Sequence, residues 1–125
     1  MTEADAQRFA LEWIDAWNSH DLDRILSHYA EDVEVTSPLM ETVLGRGQLT
    51  VRGKPALRAY WGPALDAYPD LHFTLFRAYA GVRSVVLHYR SVQGLVAAEW
   101  MELDDAGTVR RVVAHYALGP DPAAA

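Results

Sequence analysis

Apolar and polar positions alternate along this chain with two periods, and each period marks a type of element. From Ala6 the apolar residues Ala6, Phe9, Ala10, Trp13, Ile14 and Trp17 recur at helical spacing, with Arg8, Glu12 and Asp15 opposite. Thr2 followed by Asp5 forms an approximate capping box, so a first helix starts there and stops near Asn18-Ser19-His20. Asp21 is a second N-cap, and Leu22, Ile25, Leu26 and Tyr29 form the stripe of a short second helix. Val33 to Ser37 alternates as a strand and Pro38 stops it. Residues 38–53 have no clear period and read as a long loop, with a short strand at Gln48–Arg52. Gly53-Lys54-Pro55 opens a third helix carrying Leu57, Tyr60, Trp61, Leu65 and Tyr68; Pro63 is expected to kink or split it. Four strands then follow, Leu71–Tyr79, Ser84–Val92, Leu95–Leu103 and Thr108–Leu118, joined by turns short enough to make antiparallel hairpins. The tail from Gly119 is expected to fray.

This order predicts an α+β fold: a cone-shaped, curved antiparallel sheet with three helices packed on its concave side. A cavity between the two layers is the natural place for a ligand. The 125 residues make one domain, 1–125. Half of the residues are hydrophobic and 22% are charged, which is ordinary for a folded domain. There is no cysteine, so neither a disulfide framework nor thiolate chemistry is available. No apolar run approaches the ~18 residues that span a bilayer. The acidic N-terminus lacks the apolar stretch of a signal peptide, and the expected location is cytoplasmic.

Eleven bases and 17 acids leave a net charge of −6. The bases are scattered; Arg46, Arg52, Lys54 and Arg58 are the densest group and Arg110-Arg111 an isolated pair. Phosphate neutralisation needs clustered cations, so neither nucleic acid nor an anionic membrane is an expected partner. The five histidines show no metal-ligand spacing, and no metal or other cofactor is expected. His20 and His28 read as solvated. His72 reads as outward-facing. His88 reads as reaching either the pocket or an interface. Gly45-Arg46-Gly47 lacks the lysine of a phosphate-binding loop.

Three segments resemble a known family. WNSHDLDRILSHYAEDV (residues 17–33), GKPALRAYW (53–61) and YPDLHF (68–73) are similar to the landmarks of the SnoaL-like group of the nuclear transport factor 2-like superfamily. The similarity covers residues 5–118. It implies a cone with a deep, largely apolar pocket. Members include ketosteroid isomerases, polyketide cyclases, scytalone dehydratase and limonene epoxide hydrolase, and also binding or assembly domains without catalysis. Several of the enzymes keep one or two carboxyls in the apolar pocket, where burial raises the pKa towards neutrality. Ketosteroid isomerase is a standard example of that arrangement. Carried over by position, the isomerase's general base falls on Ser37, its oxyanion tyrosine on Trp13 and its second carboxyl on Glu99. Only Glu99 keeps its chemistry, so steroid isomerisation does not follow from the resemblance.

Glu99 also stands out by pattern alone. It lies in an apolar strand where alternation puts Ala97, Glu99, Met101 and Leu103 on one face and Ala98, Trp100 and Glu102 on the other. Facing the cone, it is a lone carboxyl in an apolar pocket; the alternative is an ion pair with Arg83, Arg90 or Arg111. On the last strand Val112, Ala114, Tyr116 and Leu118 share the matching face, unless a bulge exchanges Tyr116 for His115. The candidate catalytic residues are therefore Glu99 and Tyr116. The candidate substrate-binding residues are Trp13, Trp17, Val35, Ser37, Trp61, Ala97, Met101, Val112 and Ala114, with Tyr116, Ser37 and the Trp13 N–H positioning oxygen atoms.

Two functions fit. The first is proton transfer, of isomerase, cyclase or dehydratase type, on a small cyclic carbonyl compound, with Glu99 as acid or base. The second is a non-catalytic module that binds a hydrophobic ligand or serves assembly, its pocket short or filled. Trp100 on the outer sheet face predicts a homodimer through that face. Loop 38–53 reads as a lid over the pocket or as a dimer arm.

Overall fold

Thr2 starts the first helix as the capping box requires. Its hydroxyl accepts the Asp5 N–H at 3.0 Å and the Asp5 carboxylate accepts the Thr2 N–H at 3.2 Å. Helix α1 runs Glu3–Asn18 and buries Ala6, Ala10, Trp13, Ile14, Ala16 and Trp17, the predicted stripe with Ala16 added and Phe9 at its margin. Helix α2 (Leu22–Leu26) is capped by Asp21, whose carboxylate accepts the Arg24 N–H. The computed structural model describes residues 1–117; Leu118 and the tail from Gly119 lie outside the described residues.

The second helix is shorter than its apolar stripe. The chain leaves the helix at Ser27, and Tyr29 opens strand β1 (Tyr29–Thr36). Both readings bury Tyr29, so periodicity could not separate them. Within the expected loop a one-turn helix α3 (Glu41–Leu44) precedes strand β2 (Thr50–Arg52). Met40, fully buried, pins this segment to the core while most of residues 41–49 are exposed. Helix α4 (Lys54–Ala67) has Pro55 in its first turn and continues through Pro63. Leu57 and Leu65, buried on either side, hold both halves of α4 against the core, so one lost backbone bond does not split it. Among the described residues the α-helices thus number four rather than three.

The meander holds strands β3 (Thr74–Gly81), β4 (Ser84–Arg90), β5 (Val96–Leu103) and β6 (Val109–Tyr116). Strand β3 starts later and ends later than its pattern suggests. Leu71 and Phe73 lead into it, and the turn falls on Val82-Arg83, with Arg83 at φ 48°. The turn after β4 is a single 3₁₀ turn, Val92–Gly94. The end of α1 clasps the approach to β3. Asn18 exchanges two hydrogen bonds with the Phe73 backbone (2.7 and 3.0 Å), and the His20 ring meets the Leu71 carbonyl at 2.7 Å. His28 sits edge-on to Phe9. Neither His20 nor His28 is the free, solvated side chain expected.

The six strands make one sheet in the order β2-β1-β6-β5-β4-β3. Every pairing is antiparallel except β1–β6, which is parallel. Bulges interrupt β1 between Tyr29 and Glu34, β3 between Leu75 and Arg77, and the β5–β6 pair at Glu102/Leu103. Bulges bend and twist strands, and the sheet is curved and open, with β2 and β3 at its edges. The core lies between its concave face and the helices.

Candidate functional site

Alternation along β5 sets the site. Ala97, Glu99, Met101 and Leu103 are buried, and Trp100 and Glu102 lie on the outer face. Glu99 sits in register between Leu87 of β4 and Ala114 of β6, two apolar neighbours, and is only 9% exposed. The bulge in β6 precedes the site, so Tyr116 faces the interior while His115 is exposed.

No arginine reaches Glu99 among the described residues. Arg83 pairs with Asp105, Arg111 lies over the Trp100 ring, and Arg90 lies over Phe76. The Glu99 carboxyl instead accepts a hydrogen bond from the Tyr89 hydroxyl at 2.5 Å. Burial pushes the Glu99 pKa up to about 7, against the opposing pull of the Tyr89 bond. Two more phenols lie close enough to feel the Glu99 charge, Tyr29 and Tyr116. Burial raises all three phenols well above their ordinary range, so they stay neutral donors.

The Tyr29 hydroxyl accepts the Trp13 indole N–H at 2.8 Å. That N–H is therefore spent on the protein and is not the free donor expected of Trp13. The Trp17 N–H is directed towards the same hydroxyl, favouring its ionised form, without reaching hydrogen-bond geometry. Around these groups the rings of Trp13, Trp17, Trp61, Phe73, Tyr29 and Tyr89 pack at centroid separations of 4.8–5.9 Å. Trp13 and Trp17 are thus buried wall, and Trp61 is the half-buried outer member.

Of the predicted site residues, the structure brings Tyr116 to Glu99. Ser37 comes to Tyr116, where its hydroxyl and that of Ser91 partly offset the effect of burial on the phenol. Ala97 pairs with Tyr116 in the ladder and Ala114 with Glu99. Met101, Val112 and Val35 lie on the same buried face one row further along, in a packed apolar row from Val85 across to Val51. Tyr89 and Tyr29 were missed. Tyr89 was legible, because alternation in Ser84–Arg90 sets it beside Val85 and Leu87 on the buried face.

The polar groups run outward from Glu99 through Tyr116 to Ser37, Ser91 and half-buried Tyr60. A cleft of about 390 Å³ lies beside Ser91, between Tyr68, Leu71 and His72 on one wall and Val92 and Gln93 on the other. A second, of about 580 Å³, lies between α2 and the start of α4 and is bordered by the ion pairs Arg58–Asp23 and Lys54–Glu31. Glu99 lines neither. Among the described residues no three of His, Cys, Asp or Glu are grouped to hold a metal ion. No helix among them is long and apolar enough to cross a membrane.

Comparison with known proteins agrees with this architecture. A family model described as the SnoaL-like domain matches residues 10–119. A SnoaL-like protein of unknown function from Burkholderia thailandensis is 47% identical, with a TM-score of 0.89, covering 93% of this chain and 97% of that one. AclR, a candidate hydroxylase from Streptomyces galilaeus, is 20% identical with a TM-score of 0.71, covering 95% and 93%. A candidate ketosteroid isomerase from Kribbella flavida is 22% identical with a TM-score of 0.67, covering 96% and 83%. The last two likenesses establish the fold alone. No curated protein matches the chain.

Proposed function

The chain belongs to the SnoaL-like domain family, and from that premise we propose that it binds a small, mostly apolar cyclic carbonyl compound and catalyses proton transfer on it, with Glu99 as the acid or base. One observation carries this reading: a buried carboxyl with no cationic partner among the described residues, its pKa near 7, among neutral phenols. A general acid or base works best when its pKa lies near the operating pH. Such a carboxyl can take a proton from carbon and return it to another atom of the substrate, as enolisation, isomerisation, cyclisation and dehydration each require. Tyr116 donates to the substrate oxygen at the rim of the site, with Ser37 beside it. The ligand enters past Tyr116 and Tyr60, the partly exposed end of the polar track, over the buried Ser37 and Ser91, and the aromatic wall yields to admit it.

A thermal-shift panel tests the reading, using steroids, cyclic enones, terpenoid epoxides and aromatic polyketide intermediates against the wild type and Glu99→Gln. A ligand at ~100 times its Kd adds about 2.7 kcal/mol, several degrees for a domain of this size. One class is expected to stabilise the wild type and to respond differently with Glu99→Gln; turnover assays in that class then follow. If nothing shifts the wild type, the catalytic reading falls and the non-catalytic module replaces it.

The second copy of the homodimer docks on the outer sheet face. There Tyr79, Val86, Trp100 and Val113 lie in register across four strands, forming an apolar band. Beside it Glu102, Arg111, Glu34 and Arg52 alternate in sign along the next row. A face carrying both signs can match a copy of itself turned by a two-fold axis. Trp100→Glu buries a charge at the centre of that band, so the variant is expected to sediment as a monomer and the wild type at twice the chain's mass. A monomeric wild type at micromolar concentration would remove the dimer.

A further inference from the structure

The geometry points to Tyr89 as the positioning residue of this site: its hydroxyl ties one oxygen of the Glu99 carboxyl, leaving the other as the single oxygen that exchanges a proton with a bound molecule. The inference rests on Glu99 as the acid or base and assigns a role to a buried phenol that the reaction itself does not use. Tyr89 and Glu99 lie on adjacent strands, one ladder step apart, since Tyr89 pairs with Ala97 and Leu87 with Glu99. The bond is 2.5 Å long and both side chains are buried. The Tyr89 ring cannot swing away. Phe73 packs on it at 5.0 Å and Trp13 at 5.2 Å, and Trp13 is itself held by its bond to Tyr29.

The tie has a chemical consequence. When Glu99 is neutral, Oε1 accepts the hydrogen bond from the Tyr89 hydroxyl and Oε2 carries the acidic proton. When Glu99 is ionised, Tyr89 still donates to Oε1 and Oε2 is the oxygen that takes a proton back. Only the Oε2 proton moves in either direction, and Tyr89 keeps its own, because burial and the Glu99 charge oppose its ionisation. Without the tie both oxygens compete for the proton and the carboxyl can rotate.

The groups facing Glu99 leave Tyr89 the dominant lever. Strand β4 presents Tyr89, β1 presents Tyr29 and β6 presents Tyr116, all neutral phenols. Helix α1 brings Trp13 and Trp17, which do not titrate, and α4 brings Tyr60 against Tyr116. Of these only Tyr89 bonds to the carboxyl.

The test is a pH titration of the carboxyl carbon of Glu99 by NMR, in protein labelled with [13C]glutamate. The resonance is assigned by its absence in Glu99→Gln. A donor bonded to the charged form favours it, so Tyr89→Phe is expected to move the Glu99 midpoint upward by roughly one pH unit, about tenfold in the ionisation constant. Tyr29→Phe and Tyr116→Phe are expected to move it less. A purely structural tyrosine would change the melting temperature and leave the midpoint in place. Should Tyr89→Phe not fold, the wild type alone decides. The Tyr89 hydroxyl proton bonded to the carboxyl gives a downfield resonance that moves as Glu99 titrates; it must be present in the wild type, and its pH dependence must be lost in Glu99→Gln. A midpoint unmoved by Tyr89→Phe, or the absence of that resonance, overturns the assignment whatever the ligand panel gives. The panel alone decides the catalytic reading beneath it.

Discussion

Replacing Trp13 by alanine is expected to cost about 4 kcal/mol of folding free energy, the largest single loss foreseen for this chain. Trp13 is 2% exposed and its ring meets those of Trp17, Phe73 and Tyr89. Truncation therefore removes transfer free energy and leaves a cavity in the densest part of the interior. It also strips the buried Tyr29 hydroxyl of its donor. Phenylalanine at the same position keeps most of the volume and loses only the N–H, so Trp13→Phe should cost about 1–2 kcal/mol. Urea denaturation checks both. The midpoint is expected to fall at constant slope, and a loss below about 2 kcal/mol for Trp13→Ala would mean that the rings do not pack as described. A domain of ordinary stability holds only about 5–15 kcal/mol in total, so Trp13→Ala is measured at low temperature. The same variant bears on the site. The cavity it leaves is walled by the Trp17, Phe73 and Tyr89 rings and has room for a benzene-sized molecule, so recovery of stability with such a molecule would show that the cone accepts a ligand once its aromatic wall is opened.

How much of this was legible from the residues depended on whether the deciding contact was local. Helix α1 was legible because Thr2 and Asp5 cap it within three residues and six apolar positions follow at helical spacing. The later hairpins were legible because Asp104 to Gly107 and Gln93-Gly94 announce their turns. The burial of Glu99 followed from alternation along β5. Tyr29 was misassigned because its position suits either the seventh place of a helical stripe or the first of a buried strand. What decides is its place on the sheet against β6, about 80 residues away in the chain, opposite Val109. The parallel β1–β6 pairing was not legible for the same reason. Alternation likewise names the face on which Tyr89 lies, but its meeting with Glu99 depends on strand register. From the sequence the Trp13 N–H reads as free, because the helical stripe puts its acceptor, Tyr29, at the end of α2 and not at the start of β1.

Folding stability is expected to fall as pH rises from about 4.5 to about 7, because of Glu99. In the unfolded chain this carboxyl loses its proton near its ordinary value of 4.5; in the folded chain it keeps it to about 7. Between those limits the folded state binds more protons than the unfolded one, and stability then decreases with pH. The full loss is roughly 3 kcal/mol, complete above pH 7 and absent below 4.5. Asp5 and Asp104 act in the opposite sense. Hydrogen bonds from Thr2 and Thr108 lower their pKa values below 3.8, so what they contribute is lost only in stronger acid, outside this window. Glu99→Gln isolates the effect. Glutamine stays neutral and can still accept the Tyr89 hydrogen bond, so the variant should match the wild type near pH 4.5 and exceed it by roughly 3 kcal/mol at pH 8. Chemical denaturation at a series of pH values reads this directly. A Glu99→Gln variant less stable than the wild type at pH 8 would mean that a positive partner compensates the ionised carboxyl. A more stable one would mean that the chain keeps an unpaired buried carboxyl at a cost to its own folding.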